Sequence, residues 1–190
     1  MSKELNDRKQ GNTGDWDWFN KFCGVKMASN YYTFHIFSTI FERNPDMQRI
    51  IELGQFTGSM SMALGMIGAA KQIPVHSFDI QDQTTWETKR VLKSLKVQTH
   101  IADIHNFMVR QQIIEEYLNK QVYLLCDNGM KKDEFIAFVP YLLPGSVVSV
   151  HDYGVEFLEE DWKMFEDQLE PFMPEEWNKH NVQLATWIKK

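Results

Sequence analysis

Short apolar runs recur along the chain, separated by polar loops and by longer stretches with helical spacing. The runs are Arg49–Leu53 (RIIEL), Pro74–Ile80 (PVHSFDI), Val97–Asp103 (VQTHIAD), Gln121–Asp127 (QVYLLCD) and Ser146–Asp152 (SVVSVHD). Their length and β-branched content predict buried strands. Between them SMALGMIGAAKQ, TTWETKRVLKSL, NFMVRQQIIEEYLNK and KKDEFIAFVPYLL predict helices. Strands alternating with helices give an α/β fold: a Rossmann-like, doubly wound, mostly parallel sheet. Pro144-Gly145 turns the chain into the fifth strand. Upstream, ASNYYTFHIFSTIFERN reads as a helix covering the sheet. Downstream, FLEEDWKMFEDQLEPF reads as an amphipathic acidic helix, and VQLATWIK as a late antiparallel edge strand. No internal repeat interrupts this pattern. Residues 15–190 are therefore expected to form one domain, preceded by a polar, mobile segment over residues 1–14.

Composition narrows the function classes. The 190 residues are 43% hydrophobic and 24% charged, enough to bury a sizeable core. A formal charge of −6 with no long basic stripe argues against binding nucleic acid through its phosphates. The polar start MSKELNDRKQGNTGDWDW contains no apolar segment of a secretory leader, and no run reaches membrane-spanning length. Cys23 and Cys126 are far apart, and Cys126 sits in the apolar run VYLLC. Free thiols in a reducing, cytoplasmic compartment are expected.

Candidate chemistry concentrates after the first strand. In IIELGQFTGSMS a strand ends at Gly54, and a helix of small residues begins after Gly58. Glycines admit a ligand close to the backbone, and free N–H groups at a helix start face it. No Gly-Lys-Ser/Thr follows, and the middle glycine of a dinucleotide fingerprint is missing, so a ligand without phosphates suits the turn. Acids close the strands: Glu52, Asp79, Asp103, Asp127 and Asp152. In open α/β sheets ligands bind beyond the carboxyl ends of the strands. Asp79 could accept from both ribose hydroxyls and Asp103 from an adenine amino group, which together suit S-adenosylmethionine.

The blocks IIELGQFTGSMS, VHSFDI, THIADI, YLLCDNGMKKDEF and YLLPGSVVSVHDY, in this order and spacing, resemble class I S-adenosylmethionine-dependent methyltransferases. The nearest branch is the cephalosporin hydroxylase-like and macrolide O-methyltransferase proteins, and the resemblance covers about Arg49 to Tyr153. It implies a small-molecule acceptor methylated at oxygen. It also implies a cofactor loop of Glu52, Gly54, Gln55, Phe56, Thr57, Gly58 and Ser59 around the methionine part. Asp79 would hold the ribose with Ile80 against the adenine, Asp103 and Ile104 would flank that ring, and Asp127 would face the methyl group.

Transfer to a hydroxyl needs a base or a divalent cation that lowers its pKa. In the resembled branch a histidine three residues after the fourth-strand acid is the base, and paired acids after the fifth strand bind a magnesium-like ion. Here Met130 stands at the histidine position, and His151 replaces the first paired acid. Asp127, His151 and Asp152 remain as a candidate set for a divalent metal such as Mg²⁺ or Mn²⁺. The histidine makes the set poorer for Mg²⁺ and better for Mn²⁺, Fe²⁺ or Zn²⁺, and a site without any metal stays open. Lys131 or His151 is left as the base, or there is none. Trp16, Trp18, Tyr31 and Tyr32 could stack on an acceptor or simply pack on the sheet. The short chain leaves an open site, or one completed by a second copy in a homo-oligomer. Two other readings use the same fold: a lyase acting on S-adenosylmethionine and a non-catalytic cofactor-binding protein. The products separate them, S-adenosylhomocysteine marking transfer and methylthioadenosine marking cleavage.

Overall fold

The computed structural model describes residues 18–30, 32–179 and 182–190. The segment expected to be mobile lies outside these residues, as do Trp16 and Tyr31. An antiparallel hairpin comes first, β1 (Trp18–Phe22) and β2 (Val25–Asn30). Cys23 and Gly24 both have positive φ at its tip, the turn that matches strand twist in a two-residue hairpin. The helix α1 (Tyr32–Arg43) follows, starting later than the apolar pattern suggested because Ala28–Asn30 belong to β2.

The five expected strands all form: β3 (Arg49–Leu53), β4 (Val75–Asp79), β5 (Val97–Ile101), β6 (Val122–Cys126) and β7 (Val147–His151). Between them lie α2 (Ser59–Lys71), α3 (Trp86–Ser94), α4 (Phe107–Tyr117) and α5 (Lys131–Phe138). The Thr85 hydroxyl caps α3 by accepting from the Thr88 amide, and the Asn106 side chain caps α4 through Met108 and Val109. The chain ends with α6 (Glu159–Lys163), β8 (Leu169–Pro171), α7 (Pro174–Lys179) and β9 (Leu184–Lys189).

The seven-stranded sheet runs β5-β4-β3-β6-β7-β9-β8. Neighbours from β5 to β7 are parallel, whereas β9 is antiparallel to both β7 and β8. The doubly wound architecture is therefore as expected, with two differences. The stretch FLEEDWKMFEDQLEPF is helical only over α6. Leu169 is buried and pairs with Lys189, and Pro171 has no amide to continue a helix, so this tail becomes β8 instead. The strand β9 is consequently interior, and β8 is the edge.

The strand β3 sits mid-sheet, with Ile50, Ile51 and Leu53 wholly buried. Each such side chain contributes about 1.5–3 kcal/mol of burial. Phe37 and Phe41 of α1 pack edge-on against Tyr123 of β6. Phe135, Phe157 and Trp187 form a second aromatic group beside β9. This core holds the carboxyl ends of β3, β4, β6 and β7 side by side.

Candidate functional site

Gly54 ends β3 with φ +102°, and a Cβ there would lie 2.5 Å from the Asp127 carbonyl oxygen. A side chain would therefore push apart the ends of β3 and β6, which the Asp127 N–H joins by donating to the Leu53 carbonyl at 2.8 Å. The turn is fastened from the other side by Asp79. One of its carboxylate oxygens accepts from the Phe56 amide at 2.7 Å, the other from the Gln81 amide at 3.0 Å. Phe56 itself has φ +50°, so Asp79 holds a non-glycine residue in a sparsely populated conformation. Gly58 starts α2 with φ +85°, and a Cβ there would come 2.9 Å from a Thr88 methyl of α3. The Thr57 hydroxyl donates to the Lys26 carbonyl at 2.6 Å, and the Lys26 ammonium lies over the Phe56 ring at 5.6 Å. The hairpin strand β2 is thereby tied to the turn, and its Met27 lines the cleft beneath.

The second half of the site is a charge cluster. His151 Nδ1 lies 3.2 Å from Asp127 Oδ1 and 3.2 Å from Asp152 Oδ1. The other Asp152 oxygen is 3.0 Å from Lys131 Nζ, which also reaches Glu156 at 2.7 Å. Burial opposes a charge on His151, but Asp127 and Asp152 outweigh it and raise its pKa to about 10. Burial also works against the Lys131 charge, yet Glu156, Asp152 and Asp127 raise its pKa above the ordinary lysine value. Asp152 falls to about 2, since His151 and Lys131 together overcome its burial. It adopts φ +57°, so backbone strain coincides with the cluster. Both candidate bases are thus held as cations in this arrangement. Glu134, one turn into α5, is buried and pushed up to about 8 by desolvation against the pull of the Asn128 backbone.

A cleft of about 670 Å³ joins the two halves, within the size range of small-molecule sites. Gly54, Gln55, Phe56, Ser59, Asp79 and Ile80 line one part of it, and Asp127, Lys131, His151 and Asp152 the other. The Gln55 side-chain nitrogen is buried there without a hydrogen-bond partner among the described residues, a donor available to a ligand. Thr57 and Gly58 shape the turn from outside the cleft. Glu52 lies below it, wholly buried, and accepts from the Ser61 and Ser77 hydroxyls. Desolvation raises Glu52 to about 8, while the two serines oppose the shift. Asp103 and Ile104 lie apart from the cleft: Asp103 is exposed and accepts from the His105 amide, and Ile104 is packed in the core. The participation of Ser61, Ser77, Glu134 and Glu156 was not legible in the sequence, because none belongs to a strand-end motif.

The donors Asp127, His151 and Asp152 lie within 4.8 Å of one another. Neighbouring ligands of an ion that holds them at about 2.1–2.2 Å are themselves about 3 Å apart. The two 3.2 Å separations are compatible with that spacing. Without an ion the same distances hold the Nδ1–H of the His151 cation between the two acids, and an ion bound there would displace that proton. One nitrogen and two oxygens form a mixed set that suits Mn²⁺ better than Mg²⁺.

No family model and no curated protein sequence matches the chain. Solved structures do match it. CmcI with Mg and SAM superposes at a TM-score of 0.67 with 14% identity, covering 97% of this chain and 84% of that one. The TDP-rhamnose 3'-O-methyltransferase of calicheamicin biosynthesis gives 0.59 at 14% identity, covering 83% and 78%. The MycE methyltransferase of the mycinamycin pathway, with Mg and SAH, gives 0.55 at 14% identity, covering 84% and 46%. The chain has the class I methyltransferase fold: a mostly parallel, Rossmann-like sheet with antiparallel strands at one end.

Proposed function

We propose that this protein is an S-adenosylmethionine-dependent methyltransferase acting at oxygen on a small-molecule acceptor. The observation that carries the reading is the single cleft joining the Gly54–Asp79 turn to the Asp127–His151–Asp152 cluster. Support comes from the fold neighbours CmcI and MycE, described with SAM or SAH and Mg, and from the O-methyltransferase of calicheamicin biosynthesis. No helix among the described residues is long and apolar enough to cross a membrane. We place the protein in the cytoplasm because both of its cysteines are free thiols. The formal charge of −6 favours a small acceptor over nucleic acid.

S-adenosylmethionine supplies a methyl group on a sulfonium, and a divalent ion lowers the pKa of the acceptor hydroxyl. The chain's contribution is chiefly to hold the reacting atoms in contact. The backbone of Gly54 and the Gln55 amide, both lining the cleft, would receive the methionine part. Asp79 keeps a lone pair on each oxygen beyond its two backbone bonds, enough to accept ribose hydroxyls. Ile80 offers an exposed apolar surface at the adenine end. Asp127, His151 and Asp152 would hold the ion at the other end, while Lys131 takes up the remaining Asp152 oxygen and fixes that carboxylate. A Lys131 held charged by three acids positions the cluster rather than taking the acceptor's proton. The proton leaves to water at the open cleft.

The test is product analysis with Mn²⁺ and a panel of phenolic and sugar hydroxyl acceptors. S-adenosylhomocysteine together with a methyl ether is the expected result. Methylthioadenosine would assign the lyase reaction. Tight cofactor binding without any product would make this a binding protein.

A further inference from the structure

The two edges of the sheet carry opposite charge. Among the described residues strand β5 bonds only to β4, and β8 only to β9. Around β5, residues 86–110 hold five cations against two acids, while the chain as a whole is at −6. Around β8, residues 156–176 hold nine acids against one lysine. Many surface charges are neutralised by neighbours, but here two sets are not. Among the described residues Arg90, Lys93, Lys96 and Arg110 form no ion pair on the first edge, nor do Glu160, Glu166, Asp167 and Glu170 on the second.

The basic edge is also apolar. Trp86 is 61% exposed, Ile101 56%, Phe107 60% and Met108 71%. Two of its cations lie over its aromatic rings, Arg90 above Trp86 at 5.2 Å and Arg110 above Phe107 at 5.9 Å. Such pairs present a flat, cationic and apolar surface together. Lys93 and Lys96 line a groove of about 440 Å³ beside them, closed by Thr99 of β5. The acidic edge offers a smaller apolar element, Met164 at 57% exposure.

One molecule cannot neutralise itself. Six interstrand spacings separate β5 from β8, roughly 29 Å at about 4.8 Å each, well beyond the screening length of about 8 Å at physiological salt. We propose that copies of this chain associate head to tail, the basic, aromatic β5 edge of one seated on the acidic β8 edge of the next. The contact is heterologous, so it leaves one free edge of each kind and extends to a ring or a linear array. The inference rests on surface charge and topology alone and stands whether or not the proposed methyl transfer is correct.

Sedimentation velocity on the full chain tests it. At high protein concentration and about 0.02 M salt, species larger than a dimer are expected, reverting to monomer at about 0.5 M salt. Lys93→Glu with Lys96→Glu leaves three cations against four acids over residues 86–110, so both edges are acidic. Glu160→Lys, Glu166→Lys, Asp167→Lys and Glu170→Lys together leave five lysines over residues 156–176 against five acids, all of which are already ion-paired, so no free acidic edge remains. Each variant, confirmed folded by circular dichroism, should be monomeric alone, and an equimolar mixture of the two should associate. A parent chain that is monomeric at low salt overturns the proposal. So does association that survives either reversal, or a mixture of folded variants that stays monomeric.

Discussion

Replacing Asp79 by alanine tests the cofactor half of the site most directly. The carboxylate is 6% exposed, and its oxygens accept from the Phe56 and Gln81 amides at 2.7 and 3.0 Å. A hydrogen bond to a charged group contributes about 1.5–3 kcal/mol, and its loss leaves a partly buried amide without a partner. Phe56 at φ +50° also loses the contact that offsets its strain. Asp79→Ala should therefore lower folding stability by about 2–4 kcal/mol. If the same oxygens receive the ribose hydroxyls, affinity for S-adenosylhomocysteine should fall by a further 2–4 kcal/mol or so, about 30- to 1,000-fold. Urea unfolding without ligand measures the first quantity. Titration calorimetry well below the variant's melting temperature measures the second. A variant that is destabilised but binds as the parent does would leave Asp79 a loop fastener and remove it from the ligand. An unchanged stability would refute the account of the turn itself.

Gly54→Ala places a Cβ 2.5 Å from the Asp127 carbonyl at φ +102°, so it should cost about 2–4 kcal/mol, read by chemical denaturation. Glu52 has its folded pKa raised to about 8 from 4.5, so its stability contribution is full below pH 4.5 and lost as pH rises through 8. Glu52→Gln keeps a neutral acceptor for Ser61 and Ser77, so the fall in melting temperature from pH 5 to pH 8 should be shallower than in the parent, and an identical slope would contradict the buried-acid assignment. Asp152→Asn should weaken Mn²⁺ binding at least about 10-fold, measured by calorimetry or electron paramagnetic resonance, whereas equal binding would leave the metal set without Asp152.

The chain sequence by itself determined the strands and the turn between β3 and α2. Runs such as RIIEL and VYLLC are apolar, too short for a helix and bounded by polar loops, which favours a buried strand, and glycine at positions 54 and 58 reports backbone conformations that other residues avoid. Acids at strand ends were equally legible, since a parallel sheet brings its carboxyl ends to one side. Which acids converge was not. Asp127, His151 and Asp152 meet because β6 and β7 are adjacent, while Asp103 follows the edge strand β5 and remains exposed outside the cleft. Glu52 shares the turn motif, yet hydroxyls brought to it by α2 and β4 draw it below the cleft. The tail of the expected acidic helix became β8 because pairing with β9 buried Leu169, a partner no local pattern contains. Periodicity and backbone preference are local and can be read along the chain. Ion pairs, pKa shifts and the choice of edge strand depend on residues far apart in sequence, and only the tertiary structure brings those together.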